Sequence, residues 1–219
     1  MANRDDLTKS LFNDKVQILY RGNRVFEGLY FDTSLAAQLT GAMDGAQIDL
    51  SITTNAATFL ISHPILLGNA KRIIRSENGR LWIENSGLSI KAENQKRGLG
   101  TRIFARQALA AKAMGIKRIV MFASGRIESV NQMDSELAWI KFGFIANLPF
   151  DLRARVSLMG GQFSRVRTLQ ELVALPGGAQ WWAENGHAFR MEFDTTDNSH
   201  SWSVLTAYLN RKHIVLPSL

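Results

Sequence analysis

The segment Ile90-Lys91-Ala92-Glu93-Asn94-Gln95-Lys96-Arg97-Gly98-Leu99-Gly100-Thr101 constrains this chain more than any other. An apolar, extended run meets a basic turn with two glycines, and the turn opens into a helix-like stretch from Arg102 to Met114. A helix start leaves backbone N–H groups without partners, and its dipole favours negative charge there. Gly98 and Gly100 remove side chains that would keep an anion away, and Lys96 and Arg97 add attraction. The order strand, glycine turn, helix therefore predicts a cradle for a phosphate or pyrophosphate.

Other phosphate-binding patterns fit less well. No Gly-Lys-Ser or Gly-Lys-Thr follows the turn, as a P-loop requires. The glycine spacing also differs from the dinucleotide fingerprint. The net charge of +7 calls for an acidic partner, and half of the lysines and arginines lie between Lys71 and Arg126, around the turn. A polyphosphate cofactor accounts for that enrichment. Nucleic acid is the alternative, against which stands the absence of zinc-finger spacing and of the aromatic RNA-binding signature.

A length of 219 residues suits one large domain or one domain with an appendage. The chain has no cysteine, which excludes disulfides, thiolate metal sites and a cysteine nucleophile. No apolar run approaches the roughly 20 residues of a membrane helix. Met1 to Asp14 has no signal-peptide pattern. The expectation is a soluble, cytoplasmic protein without a membrane partner.

Leu7 to Asn13 reads as a short helix. Val16–Tyr20 and Val25–Tyr30 read as a hairpin around Arg21-Gly22-Asn23-Arg24. Ser34 to Met43 has helical spacing, and Ile48 to Ile61 contains strand that ends at His63-Pro64. Ala70–Arg75 and Arg80–Ile83 read as strands around Glu77-Asn78-Gly79, with Gly87–Ala92 as the next extended piece. Leu99, Ile103, Ala110 and Met114 form the apolar stripe of the helix after the turn. Ile119–Ala123 is a buried strand, Ser135–Lys141 a second helix, and Phe144–Ala146 begins a further strand. Residues 1–150 are expected to form the main domain and 151–219 an α/β extension. In that extension Thr168 and Glu171 have capping-box spacing, Ala188–Phe193 alternates as a strand, and Ser199–Arg211 forms a last helix.

Gln95, Gly98 and Gly100, following Ile90 and preceding a helix, resemble the acetyl-CoA motif of the GNAT acetyltransferase superfamily. The segment Trp139-Ile140-Lys141-Phe142-Gly143-Phe144 is similar to that family's second signature, an aromatic residue followed shortly by Gly-Phe. Two signatures in order, with a helix and a strand between them, are far more specific than one glycine turn. The likeness covers roughly residues 65–150. It implies an α/β (α+β) fold, with a mixed, mostly antiparallel central sheet flanked by helices and two central strands splayed to admit acetyl-CoA. It also implies that pantetheine pairs with backbone at Ile90, Lys91 and Ala92. The pyrophosphate would lie on Gln95, Lys96, Arg97, Gly98, Leu99, Gly100 and Thr101. Asn131, one residue from where many members contact CoA, is a further cofactor candidate. The Thr101 hydroxyl could touch phosphate or cap the helix.

Acetyl transfer to an amine needs a neutral amine, and an ordinary lysine amine, with a pKa of ~10.4, is almost wholly protonated at pH 7. A general base therefore helps. Glu84, eleven residues before Gln95, is the candidate, in a position similar to the glutamate base of histone-type members. In an unbroken strand Glu84, Ser86, Leu88 and Ile90 share a face, unless Gly87 makes a bulge; the competing reading is a surface glutamate. The second signature usually carries a tyrosine that protonates the leaving thiolate. Trp139 stands there instead, and an indole N–H is no ordinary acid. It is either a weak donor or a packing residue. Ser124 is a substrate contact or a plain loop serine. His63, His187, His200 and His213 are too scattered for a metal site, and none is expected. Trp181, Trp182, Trp202 and Tyr208 form either a small core of the extension or a partner surface. Glu192, Asp194 and Asp197 could attract a cationic amine or form a solvated face.

These features predict an N-acyltransferase moving acetyl from acetyl-CoA directly to a primary amine, on a small molecule or a protein. A non-catalytic CoA-binding or protein-interaction protein on the same fold is the alternative. A homo-oligomer is open, and nucleic acid is a third reading.

Overall fold

In the computed structural model, residues 5–123 and 138–216 are described. The chain divides into two compact units, residues 1–119 with 194–219, and residues 120–193. This differs from the expected boundary at 150, and local contacts give the reason. The end of the chain folds back onto the end of the long helix. The Thr195 hydroxyl donates to the Ile116 carbonyl, Lys112 pairs with Asp197, and the Lys112 ammonium lies 5.1 Å from the Trp202 ring centre. The last helix is thus part of the first unit.

The first unit opens with α1 (Asp6–Leu11), N-capped by Asp5, whose carboxylate accepts from the Thr8 amide. Five strands form its sheet: β1 (Gln17–Arg21), β4 (Gln47–Ile52), β5 (Ala56–Ser62), β6 (Ala70–Glu77) and β7 (Arg80–Ser86). The order is β1-β4-β5-β6-β7. β1 runs parallel to β4, and every later pair is antiparallel. The expected hairpin between Val16–Tyr20 and Val25–Tyr30 is therefore corrected. β2 (Val25–Phe26) pairs with β3 (Leu29–Tyr30) around Glu27 and Gly28, both left-handed, while β1 takes β4 as its partner.

Cross-strand register places Ile48, Leu50, Phe59, Ile61, Ile74, Ile83 and Asn85 on one face, all buried. α2 (Thr33–Thr40) and α3 (Leu99–Ala113) cover that face. Gln107 of α3 bonds both to Asn85 of β7 and to the Leu39 carbonyl of α2. α2 stops at Gly41 because the helices touch there. A Cβ on Gly41 would lie 2.1 Å from the Ile103 carbonyl oxygen, and its φ of 68° suits only glycine comfortably. Eleven of the fifteen α3 residues are buried, including Arg102 and Arg106. A helix enclosed this fully must have partners for its charges. Arg102 pairs with Asp5 and Arg106 with Asp14.

β8 (Arg118–Ala123) carries the chain from the first unit into the second, where it neighbours β9 (Phe189–Asp194) in the sheet order. Residues 138–141 are helical, as expected for the end of the second helix. The predicted strand at Phe144–Ala146 reduces to single bridges, Ile145 with Glu192 and Asn147 with Thr168. Three helices follow: α4 (Phe150–Ser157), α5 (Leu169–Ala174) with the expected capping box, and α6 (Gly178–Asn185). α7 (His200–Arg211) closes the chain in the first unit, capped by Ser199.

Candidate functional site

β7 ends at Ser86, because Gly87 turns left-handed with φ 69°. The alternation expected to carry Glu84, Ser86, Leu88 and Ile90 on one face therefore stops at Ser86. The piece after it, residues 87–91, is held by a single antiparallel bridge, Leu66 with Ile90, flanked by bonds from the Leu67 amide to Ser89 and from the Lys91 amide to Ile65. Ala92–Asn94 then form a 3-10 turn rather than continuing as strand. The backbone edge foreseen at Ile90, Lys91 and Ala92 is consequently short. Lys91 N–H is bonded to Ile65, and the Lys91 and Ala92 carbonyls accept from Asn94 and Gln95.

The turn itself is built as a nest of donors. Gln95 closes its base, with its own amide bonded to Ala92 and its side-chain amide donating to the Ile90 carbonyl at 2.8 Å. Lys96 and Gly98 are both left-handed, with φ of 61° and 72°. For lysine that region costs roughly 1 kcal/mol or more, which the surrounding structure must offset. Left-handed residues placed this closely curl the backbone so that successive N–H groups can converge. Gly98 is the N-cap of α3, without a side-chain cap bond. Thr101, buried in the first turn of the helix, is therefore not the cap. Among the described residues, the backbone N–H groups of Lys96, Arg97, Gly98, Leu99, Gly100 and Thr101 have no acceptor. These are six consecutive donors at the start of a fifteen-residue helix, the kind of group an anion can accept from.

The two glycines do different work. A Cβ on Gly98 would meet the Arg102 guanidinium at 2.8 Å, in a left-handed conformation. A Cβ on Gly100 would meet only the Ile90 Cδ1, at an ordinary 3.7 Å. Nothing in the described chain therefore requires glycine at position 100. Lys96 and Arg97 are exposed, and the Arg97 guanidinium bonds to the Asn94 side chain at 3.3 Å.

No protein-family model matches the chain, and no curated protein matches it. Solved structures do. One is a GNAT family acetyltransferase from Elizabethkingia anophelis with acetyl-CoA bound, at 18% identity and a TM-score of 0.29, covering 45% of this chain and 62% of that one. A second is the IAA acetyltransferase from Bacillus cereus, at 14% identity and a TM-score of 0.27, with 45% and 63% covered. The third is the ribosomal-protein-S18-alanine N-acetyltransferase from Escherichia coli, at 9% identity and a TM-score of 0.33, with 88% and 87% covered. All three are acetyltransferases, and the first is of the GNAT family. The chain spans less than two thirds of the first two, and the overlap is partial.

Glu84 lies on the sheet face opposite α3, beside Ile73 and Trp82. Its Oε2 accepts from Arg75 Nε at 3.2 Å, while among the described residues its Oε1 has no hydrogen-bond partner. Trp139 packs edge-on against Phe142 and Phe144, with ring centres 5.5 and 5.6 Å apart. Those contacts give the indole a packing role within the second unit. Asn131 and Ser124 lie outside the described residues.

The remaining candidates have structural partners. His63 Nδ1 accepts from the Ile65 amide and its Nε2 lies 3.1 Å from the Asp44 carbonyl, so both ring nitrogens have partners. His187 pairs with Asp151 at 2.7 Å, and that bond raises its pKa above the ordinary value. Among the described residues no three metal-ligating side chains cluster, and no helix is long and apolar enough to cross a membrane. The tail aromatics do not form one core. Trp182 is fully buried in the second unit against Phe189, whereas Trp202 belongs to the first and donates to Thr195. Glu192 and Asp197 are paired with Arg190 and Lys112.

Sequence reasoning missed two features of the site. The first is Arg102, whose guanidinium reaches the carbonyls of Arg97 and Gly98. The second is the contribution of both ends of the described chain, Asp5 and Val215, to the support of the turn. From sequence, Arg102 has no role beyond standing beside Ile103 of the apolar stripe.

Proposed function

We propose that this protein is an N-acyltransferase that binds acetyl-CoA at the turn Lys96–Thr101 and passes the acetyl group directly to a primary amine. The observation that carries this reading is the run of six unbonded backbone N–H groups at the start of α3, beside Lys96 and Arg97. A pyrophosphate satisfies several of those donors at once and sits at the positive end of the helix dipole. The missing side chain at Gly100, where a Cβ would meet only Ile90 Cδ1 at 3.7 Å, leaves the backbone bare for close approach of a phosphate. Ile90 N–H, without an acceptor among the described residues, is a contact for the pantetheine arm.

In this reading Glu84 accepts the amine proton through its open Oε1 while Arg75 holds Oε2 and so orients the carboxylate. Loss of that proton frees the lone pair for attack on the thioester carbonyl. The N–C bond forms, the nitrogen passes its second proton to solvent, and the C–S bond breaks to leave CoA as a thiolate. Trp139 does not protonate it, and a solvent proton does. The acceptor is an amine on a small molecule or a protein.

The second reading, a CoA-binding protein without catalysis, is favoured by the packed Trp139 and by the Arg75 bond to Glu84. Calorimetric titration with acetyl-CoA, followed by CoA-release assays over a broad panel of amines, separates the two. Saturable binding with release for at least one amine supports the enzyme. Binding without release supports the second reading, and absence of binding at near-millimolar acetyl-CoA removes both.

A further inference from the structure

Arg102 lies in the first turn of α3, with its side chain 8% exposed. Its fork bonds two segments at once, and Asp5 links a third to them. Nη1 donates to the carbonyls of Arg97 and Gly98, each at 3.2 Å. Nη2 donates to Asp5 Oδ1 at 2.8 Å, and Nε donates to the Thr8 hydroxyl at 3.0 Å. Asp5 in turn accepts from the Thr8 hydroxyl at 2.8 Å and from the Val215 amide at 3.0 Å. Ile214 sits against the same place, its Cδ1 3.4 Å from where a Gly98 Cβ would be.

Peptide planarity turns this clasp into a device. In a trans peptide the C=O and the following N–H point in opposite directions. When Arg102 draws the Arg97 carbonyl inward, the Gly98 N–H faces outward. When it draws the Gly98 carbonyl inward, the Leu99 N–H does the same. The fixed fork of a guanidinium can hold two carbonyls, a carboxylate and a hydroxyl in one geometry, which an ammonium cannot.

We propose that Arg102 is the positioning residue of the phosphate turn, aiming the Gly98 and Leu99 amides at the pyrophosphate while Asp5 and Thr8 lock its fork. This rests on the acetyl-CoA reading of the turn. Arg102 does not touch the ligand, so its effect belongs to the pyrophosphate and not to the rest of the cofactor.

The test compares acetyl-CoA with S-acetylpantetheine, which lacks the pyrophosphate, by NMR titration of the full chain. Arg102→Lys weakens acetyl-CoA by about tenfold or more while the S-acetylpantetheine affinity stays within about twofold. With an amine acceptor, KM for acetyl-CoA rises and kcat holds. Thr8→Val, close in shape, removes the acceptor for Nε and gives a smaller loss with the same selectivity, and it serves if the arginine variant fails to fold. Equal affinity of wild type and both variants for acetyl-CoA overturns the proposal, as does an equal loss for both ligands. If the wild-type protein binds no acetyl-CoA, the reading of the turn itself fails and takes this inference with it.

Discussion

Asn85 on β7 and Gln107 on α3 exchange two side-chain hydrogen bonds, at 2.7 and 3.0 Å, in the buried core of the first unit. Gln107 spends its second N–H on the Leu39 carbonyl, so one side chain ties the sheet to both covering helices. Removing one partner leaves the other buried and unsatisfied. Gln107→Leu is expected to cost about 2–3 kcal/mol in denaturant unfolding. Asn85→Leu combined with Gln107→Leu should cost less than the sum by roughly 1 kcal/mol or more, because the double variant strands fewer polar groups.

Asp5 joins the clasp electrostatically. Burial works to raise its pKa, but hydrogen bonds from Arg102, from both groups of Thr8 and from Val215 outweigh that and bring it down to about 2. Its stabilisation is present above the ordinary carboxylate pKa of ~3.9 and is lost as pH falls toward the lowered value. Unfolding followed between about pH 5 and pH 2 should show this loss in the wild type. Asp5→Asn, which keeps the helix cap but not the charge, should flatten that part of the profile.

His187 and Asp151 form a pair on the second unit. Asp151 raises the imidazole pKa, and His187 lowers that of the carboxylate. The pair is charged on both sides only between the two values, so its contribution fades as pH rises through the raised imidazole pKa and as pH falls through the lowered carboxylate pKa. An NMR titration of the His187 ring should give a midpoint above the ordinary ~6.5, and Asp151→Asn should return it toward that value. Both groups are well exposed, so little change in overall stability is expected.

The two glycines of the turn should separate folding from binding. Gly98→Ala strains a left-handed residue and crowds Arg102, and should cost about 1–2 kcal/mol of stability. Gly100→Ala adds a methyl in ordinary contact with Ile90 and should leave stability within about 0.5 kcal/mol. Its effect belongs to ligand approach, so calorimetry with acetyl-CoA should show a loss of about tenfold or more.

Glu84→Gln preserves shape and removes the proton acceptor. In CoA-release assays it should lower kcat by about a hundredfold and leave KM for acetyl-CoA unchanged. Full turnover across the neutral range would exclude Glu84 as the base.

Much of the fold is legible where local rules are strong. Gly41 and Gly115 end helices that the apolar spacing had placed, and Thr168 with Glu171 forms the capping box its spacing predicts. Pairing was less legible, because β-branched residues announce a strand and not its partner. The turn at Gly22 announced a hairpin that does not form, while the left-handed pair Glu27 and Gly28 turns β2 into β3. α4 was missed, since only Leu152 and Val156 mark its buried side within a charged segment. At the site, Gln95, Gly98 and Gly100 were visible as a local motif. The Arg102 clasp was not, because Asp5 lies 97 residues away in sequence and Val215 is 210 residues from Asp5.

The most direct test of the central claim is an amide NMR titration of the protein with acetyl-CoA. The account predicts saturable shifts that are largest at the backbone amides of Lys96, Arg97, Gly98, Leu99, Gly100 and Thr101. Saturable shifts centred elsewhere, with these six amides unmoved, would contradict it, as would no saturation at near-millimolar ligand.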